Sequence, residues 1–318
     1  MTGKRFTILI GLLLVLPASG KAADYIDQPL DPAEAEVYWT PARFAAAKPP
    51  SWNIGKSLSN STLVADSEPA WGYPGGAPEA AVAPDFEKIL YTPQRSAVAN
   101  QLTNINAPDI GQAKAHFTSS RLIPAEADLV YPYRAVGKLF FEIPGVGPAV
   151  CSGAVIARRL VLTAGHCVHS GTTSPGFFTN FIFVPSFRDG AAPFGSWPGS
   201  AVAVTVTWAT GKGKVPNAAD YAVLELQDTR LSDGNIYRIG DAVGWLGVAT
   251  LKLQTNHVHS IGYPVNLDGG NRMHQVASSS LKFDKKSNTV GYGSDMMQGS
   301  SGGPWIQNFG VPADGQSV

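Results

Sequence analysis

Residues 295–305 read DMMQGSSGGPW, and this stretch, together with the segments before it, decides the fold that the sequence predicts. Ser301 stands between glycines, with Gly299 two positions before it and Gly303 two positions after it. Glycines at these places let the backbone turn tightly and let a substrate carbonyl approach the chain closely. A serine presented by such a turn is a candidate nucleophile, although a Gly-Ser stretch taken alone more often forms an ordinary loop.

The segments from residue 131 onward predict strands. They are short, rich in β-branched and aromatic residues, and separated by Gly, Pro and Asn turns. Regularly spaced short strands without helices between them favour an all-β barrel or sandwich. The predicted strands lie at residues 135–143, 154–164, 181–187, 201–210 and 220–228, and then at 251–261, 274–283, 287–293 and 303–307.

Two of these segments supply the partners that a nucleophilic serine needs. His166 stands in the segment TAGHC, and Asp220 opens the segment DYAVLEL, so the order along the chain is His, Asp, Ser. A neutral imidazole takes the proton of the serine hydroxyl, and a buried carboxylate fixes the tautomer of that imidazole. Asp189 is a rival carboxylate, but its Gly-rich surroundings are more typical of a turn. The sequence therefore predicts His166, Asp220 and Ser301 as the catalytic residues.

The glycines around Ser301 also match the pattern Gly-x-Ser-x-Gly of the α/β-hydrolase nucleophile elbow. That elbow lies on a turn from a strand to a helix, and its catalytic residues follow the order Ser, acid, His. The all-β pattern and the order His, Asp, Ser argue against that fold.

The segments TAGHC, DYAVLEL and GSSGGP, with a cysteine sixteen residues before Cys167, resemble the chymotrypsin/trypsin-like serine peptidases. The segments VYPYRAVGKLFF, IGYP and SDMMQGSSGGPW are more similar to the bacterial branch that includes the glutamyl endopeptidases. The resemblance covers roughly residues 130–318. It implies two antiparallel six-stranded barrels with the active site in the cleft between them.

The same resemblance assigns further residues. It implies that His166 and Asp220 lie on the first barrel and Ser301 on the second, and that the N–H groups of Gly299 and Ser301 form the oxyanion hole. It also implies a disulfide between Cys151 and Cys167, the two cysteines of the chain. Two cysteines in an exported protein favour a disulfide over a metal pair, because a zinc site needs more ligands at closer spacing. No metal or cofactor is predicted, although a metal pair at His257 and His259 is conceivable.

The predicted function is that of a secreted serine endopeptidase, which hydrolyses peptide bonds of protein or peptide substrates through an acyl-enzyme. One alternative is a non-catalytic, protease-like protein that binds a partner through its cleft. Another is an esterase or lipase, which shares the nucleophile chemistry but not the fold signals. Lys plus Arg and Asp plus Glu both number 24, so the charge gives no argument for a nucleic acid or an anionic membrane as partner.

Two positions bear on activation and specificity. Many trypsin-like enzymes carry an aspartate just before the nucleophile, which pairs with a newly cut N-terminal amine, whereas this chain carries Ser300. We therefore expect the oxyanion loop to form without an inserted amine, although the bond between Arg121 and Leu122 is a candidate cleavage site. Asp295 stands where trypsin has the carboxylate of its primary pocket and favours Arg or Lys before the scissile bond. Glutamyl members instead use a histidine on a later strand, which would lie beyond Val318.

The sequence predicts three regions. Residues 1–22 have a basic start, an apolar run of about 11 residues and small residues after it, which indicates a cleaved export signal rather than a membrane anchor of ~20 residues. Residues 23–125 are rich in Ala, Pro, Gly and Ser without a sustained period, which predicts a leader or the pro-region of a zymogen. Residues 126–318 form the predicted peptidase domain of a secreted or periplasmic protein. With four candidate strands where a closed second barrel needs six, the chain is expected to lack its last strands and to be inactive or poorly stable.

Overall fold

The computed structural model describes residues 25–51, 72–93, 116–249, 253, 256–284, 288–307 and 309. The predicted export signal at residues 1–22 lies outside the described residues. In the described ranges, every helix is too short or too polar to cross a membrane.

Short strands are the commonest elements of the described chain, which also contains four short α-helices. In chain order the elements are β1 (Tyr25–Pro29), α1 (Pro32–Tyr38), α2 (Pro41–Ala46), β2 (Gly72–Tyr73), β3 (Phe117–Arg121), β4 (Val136–Ile143), β5 (Gly147–Ala157), β6 (Leu160–Thr163), β7 (Thr179–Pro185), β8 (Trp197–Thr205), α3 (Val206–Ala209), β9 (Ala222–Leu226), β10 (Thr229–Arg230), β11 (Ile236–Tyr237), α4 (Ile239–Val243), β12 (Val248–Ala249), β13 (His257–Gly262), β14 (His274–Asp284), β15 (Thr289–Tyr292) and β16 (Trp305–Ile306).

The first sheet closes into a six-stranded barrel. Its strands follow the order β8-β7-β4-β5-β6-β9, and β8 also pairs with β9, which closes the ring. Phe141 of β4 is fully buried and stacks on Phe178 and Phe181, with ring centroids 5.4 and 5.6 Å apart. Burying each such ring contributes roughly 1.5–3 kcal/mol to folding. The predicted all-β barrel is confirmed.

The second sheet contains β15, β14, β13 and β16 in that order, all antiparallel. These four strands fall at the four segments predicted from the sequence, although β13 begins at His257 rather than at residue 251. A fifth strand, β3, pairs with the first half of β14, so that Arg121 lies opposite His274 and Phe117 lies opposite Ser278. The sequence predicts that the last strands of the second barrel are missing. This prediction concerns residues 310–318, which lie outside the described part of the chain.

Two predicted strands have different boundaries. The segment 154–164 divides into the end of β5 and the whole of β6, because the chain turns at Arg158 and Arg159. The segment 201–210 is a strand only as far as Thr205. The hydroxyl of Thr205 accepts the N–H of Trp208 at 3.1 Å and so caps the first turn of α3, which turns the Trp208 side chain into the core.

The described parts of the leader pack into the same core as the barrel. β1 extends β8 beyond its pairing with β7, with Tyr25 opposite Thr205. Phe44 of α2 is buried and meets Phe140 of β4 edge-on at a centroid distance of 5.0 Å. Tyr91 stacks on Phe187 at 6.0 Å. The boundary between leader and domain at residues 125 and 126 stays a prediction, but these leader segments share one hydrophobic core with the barrel.

The two leader helices begin at signals that the sequence contains. The Asp31 side chain accepts the N–H of Ala33 and Glu34, and Pro32 is the first residue of α1. Thr40 caps α2 in the same way, again with a proline at the first helical position. Capping residues followed by proline are typical helix starts, whereas helices of six and seven residues are too short to show a sustained period in the sequence.

Candidate active site

His166 and Asp220 are brought together by neighbouring strands of the first barrel. His166 lies in a single 3₁₀ turn just after β6, and Asp220 lies just before β9, which pairs with β6. Nδ1 of His166 is 2.7 Å from Oδ2 of Asp220, and the backbone N–H of His166 donates to Oδ1 at 2.8 Å. The carboxylate thus fixes both the ring and the backbone of His166. With Nδ1 as the donor, the lone pair for accepting a proton resides on Nε2.

The surroundings of this pair exclude most water. The side chains of His166 and Asp220 are only 10% and 13% exposed. The ring of Trp208 lies 6.2 Å from the imidazole, and its indole N–H donates to the carbonyl of His169 at 2.9 Å. A Cβ on Gly165 would lie 3.0 Å from the Trp208 ring and 3.2 Å from Asp220 Oδ1, so a glycine leaves the space that this close packing needs.

Ser301 lies in the turn before β16 of the second sheet, held against the first barrel by its backbone. Its carbonyl oxygen accepts the N–H of Ser152 at 2.7 Å and lies 3.9 Å from Sγ of Cys167. Cys167 follows His166 directly and forms the disulfide with Cys151 that the resemblance implies. The structure therefore places the Ser301 turn against the same disulfide that carries the His166 turn.

Gly302 explains part of the glycine pattern around Ser301. Its φ is +80°, and a Cβ there would lie 2.1 Å from Oγ1 of Thr163 and 2.5 Å from the carbonyl oxygen of Ser152. Because these neighbours belong to β6 and β5, only glycine lets the turn press so closely on the first barrel.

Gly299 is buried and is fixed on both sides. Its φ is +94°, and a Cβ would lie 2.6 Å from the carbonyl oxygen of Tyr263. The carbonyl of Gly299 accepts the hydroxyl of Ser152 at 2.8 Å. The carbonyl of the preceding residue, Gln298, accepts the N–H of Val265 at 2.9 Å. Both peptide groups next to Gly299 are thus oriented by hydrogen bonds.

Ser152 is a site residue that the sequence reasoning missed. It is fully buried on β5, its hydroxyl accepts the N–H of Tyr263 at 3.0 Å and donates to Gly299, and its N–H holds Ser301. Its position directly after Cys151 was the only signal in the sequence. Ser300 behaves as a local residue, since its hydroxyl donates to the carbonyl of Met297 at 2.7 Å.

Asp295 begins the segment that leads to Ser301. Oδ1 of Asp295 is buried and has no hydrogen-bond partner among the described residues. Asn266, which the sequence reasoning also missed, holds this segment by donating to the Asp295 carbonyl at 2.9 Å and accepting the N–H of Met297 at 2.9 Å. The rival carboxylate of Asp189 pairs instead with Arg272, at 2.7 Å.

Three histidines outside the triad and the two cysteines are possible metal ligands by residue type, and their contacts differ. The rings of His257 and His259 lie 6.4 Å apart on β13. His274 Nε2 is 2.8 Å from Oδ2 of Asp268. The sulfurs of Cys151 and Cys167 lie close to His166, but they are bonded to each other and offer no thiolate to a metal.

Comparisons with known proteins agree with this geometry. The sequence model of the trypsin family matches residues 134–314. The glutamyl endopeptidase of Bacillus licheniformis is 28% identical over 177 residues, which cover 55% of this chain and 49% of that protein. A Bacillus subtilis protein named extracellular metalloprotease is 26% identical over 140 residues, which cover 44% of this chain and 39% of that protein. The chain thus spans about half the length, or less, of these curated relatives.

Among solved structures, the protease Anisep from Arthrobacter nicotinovorans superposes with a TM-score of 0.51 at 29% sequence identity. The match covers 63% of this chain and 84% of that structure. Because the family model covers more than half of the sequence and the barrel places the predicted segments side by side, the chain belongs to the trypsin family and resembles its glutamyl endopeptidases.

Proposed function

We propose that this chain is a secreted serine endopeptidase in which His166, Asp220 and Ser301 act as a catalytic triad. The contact between Asp220 and His166 Nδ1, at 2.7 Å, is the observation that carries the proposal. A buried carboxylate on Nδ1 is what a general base needs, because it orients the ring and stabilises the imidazolium that forms. The disulfide between Cys151 and Cys167 holds the turn of the base beside the turn of Ser301.

In the proposed reaction, the Ser301 hydroxyl attacks the carbonyl carbon of the scissile peptide bond while His166 takes its proton. The negative charge moves to the carbonyl oxygen, where the N–H groups of Gly299 and Ser301 stabilise it. The C–N bond then breaks, the leaving amine receives the proton from His166, and the acyl group stays on Ser301 as an ester. Water attacks this ester by the same steps and releases the acid. Removing one oxyanion donor typically costs about 10²–10³ in kcat.

The proposed substrates are proteins or peptides. The carboxylate of Asp295, with a buried oxygen lacking a hydrogen-bond partner in the described chain, favours a basic side chain before the scissile bond. The relative from Bacillus licheniformis is named for cleavage at glutamyl residues, which makes Glu the second candidate. The basic and apolar start of the sequence supports export, so the proposed location is outside the cytoplasm.

The experiment compares the full chain with Ser301→Ala and Ser300→Ala, using a fluorophosphonate label and casein hydrolysis. We expect Ser301→Ala to abolish labelling and to lower kcat by a factor on the order of 10⁶. Ser300→Ala removes the neighbouring hydroxyl and should still be labelled. Undiminished hydrolysis by Ser301→Ala would end the assignment.

The alternatives give different results in the same assay. A non-catalytic protein that binds partners through its cleft would take no label at all. An esterase would be labelled at Ser301 and would hydrolyse a simple ester but not casein.

A further inference from the structure

Lys138 is a buried lysine on β4 that the proposed reaction does not use directly. Its side chain donates from Nζ to the carbonyl oxygen of Gly270 at 2.8 Å. We propose that Lys138 is a positioning residue for the oxyanion hole, which acts by holding the segment 263–270 in the place that orients the N–H of Gly299. This inference rests on the proposed function, because it names a further residue of the same site.

The segment 263–270 is attached at both ends to one cross-strand pair of the first barrel. Lys138 of β4 lies directly opposite Ser152 of β5. Side chains of directly opposite residues in an antiparallel pair project from the same face of the sheet. At one end of the segment, the N–H of Tyr263 donates to the Ser152 hydroxyl at 3.0 Å, and at the other end the Gly270 carbonyl accepts from Lys138.

The middle of the segment contacts the oxyanion loop. Val265 N–H donates to the carbonyl of Gln298 at 2.9 Å. That carbonyl belongs to the same planar peptide group as the N–H of Gly299, so fixing one end of the group fixes the direction of the other. The Val265 side chain also lies 3.3 Å from the position of a Cβ on Gly299. A shift of the segment would therefore turn the N–H of Gly299 away from the oxyanion.

In the described barrel, Lys138 meets aromatic rings, which attract a cation weakly, rather than an acidic partner. Lys138 Nζ lies 4.6 Å from the ring centre of Phe187 and 5.3 Å from that of Phe140, and its one hydrogen bond in the described part of the chain goes to Gly270. An apolar side chain would fill the same space without the cost of burying an amine. Burial lowers the pKa of Lys138 from 10.5 to about 7, because the charged amine loses its hydration. A residue that costs stability and holds one loop carbonyl is typical of a functional position.

The test compares the full chain with Lys138→Met, Lys138→Gln and Lys214→Met. Methionine is one atom shorter than lysine and keeps most of its apolar stem but cannot donate, whereas glutamine has the same length as methionine and keeps an N–H donor. Lys214 is exposed, so its replacement controls for the loss of a positive charge. The readouts are kcat and KM for a peptide amide, the melting temperature, and hydrogen exchange of peptides covering residues 263–270 and 296–303.

We expect Lys138→Met to lower kcat about 10- to 100-fold, with KM within about twofold and no lower melting temperature. Hydrogen exchange should become faster in both peptides and stay unchanged elsewhere. Lys138→Gln should recover part of the loss in kcat, and Lys214→Met should behave as the parent chain.

Two results would overturn the inference. One is an unchanged kcat with unchanged exchange in both peptides. The other is a loss of kcat that follows a lower melting temperature in both Lys138 variants, with faster exchange throughout, because Lys138 would then serve packing alone. If the parent chain shows no turnover that depends on Ser301, the proposed function fails, and the exchange of the two peptides still decides whether Lys138 holds this loop.

Discussion

The carboxylate of Asp220 contacts His166 twice, once through Oδ2 to ring Nδ1 and once through Oδ1 to the backbone N–H. The second contact holds the carboxylate against the backbone of the turn that carries His166. The same carboxylate therefore fixes the orientation of the imidazole ring relative to this turn. A carboxylate accepts one hydrogen bond on each of its two oxygens. A side-chain amide accepts only on its carbonyl oxygen, because its NH₂ group is a donor.

Replacing Asp220 by asparagine should therefore leave the fold intact and impair the base. The asparagine amide can accept one of the two N–H groups but not both, which disturbs the tautomer of His166. We expect kcat to fall by about 10⁴, less than for Ser301→Ala. Asp228→Asn, which alters an exposed ion pair with Arg159, is the matched control. A kcat for Asp220→Asn within tenfold of the parent would contradict the triad.

Gly299→Ala should reduce turnover through the backbone. The alanine would have to adopt a φ near +94° with its Cβ 2.6 Å from the carbonyl oxygen of Tyr263, so the loop must shift. We expect kcat to fall about 10²–10³-fold, the loss typical of one oxyanion donor. Gly145→Ala is the control, because Gly145 has a φ of +79° but no atom within 4 Å of a Cβ. Equal losses of kcat in both variants would show that the contact at Gly299 does not matter.

The free energy of unfolding should depend on pH through Lys138. Its pKa is about 7 in the folded chain, because of desolvation, against 10.5 for an ordinary lysine. Between these values the unfolded chain binds the proton more strongly, so stability rises as pH increases from about 7 to 10.5, by up to ~1.4 kcal/mol per pH unit. Urea unfolding at pH 7, 8 and 9 should show this rise in the parent chain and a smaller one in Lys138→Met. Equal slopes would mean that Lys138 stays charged when buried.

The leader should stabilise the barrel through its aromatic residues. Phe44 is 6% exposed and packs on Phe140, so Phe44→Ala should lower the free energy of unfolding by about 3–5 kcal/mol. Val37→Ala in the neighbouring helix is the control, because Val37 is 81% exposed. Urea unfolding followed by tryptophan fluorescence measures both. No change for Phe44→Ala would mean that the leader folds apart from the barrel.

The specificity pocket can be tested with peptide amides that differ only in the residue before the scissile bond. If Asp295 receives that side chain, kcat/KM should be highest for Arg and Lys, and Asp295→Ala should remove this preference. Cleavage after Glu but not after Arg would show that Asp295 has another role.

The sequence predicted the triad segments and most strands because their signals are local. TAGHC, DYAVLEL and GSSGGP each fit within one turn or strand. Ser152 and Lys138 could not be found in this way, because each acts on a residue more than 100 positions away, through the contact between barrel and second sheet. The capped starts of α1 and α2 were visible at Asp31 and Thr40, but helices this short give no period. The pairing of β3 with β14 depends on an edge that only the folded sheet creates.

The pairing of β1 with β8 has a consequence for the order of events in synthesis. Tyr25 lies opposite Thr205, so the first strand emerges from the ribosome long before its partner exists. At 5–20 residues per second, the delay is on the order of ten seconds. During that time β1 has an open edge, and the Phe44 side chain of α2 has no barrel to pack against. The nascent chain therefore stays incompletely folded until most of its first barrel has been made, and its folding is governed by contacts between distant parts of the sequence.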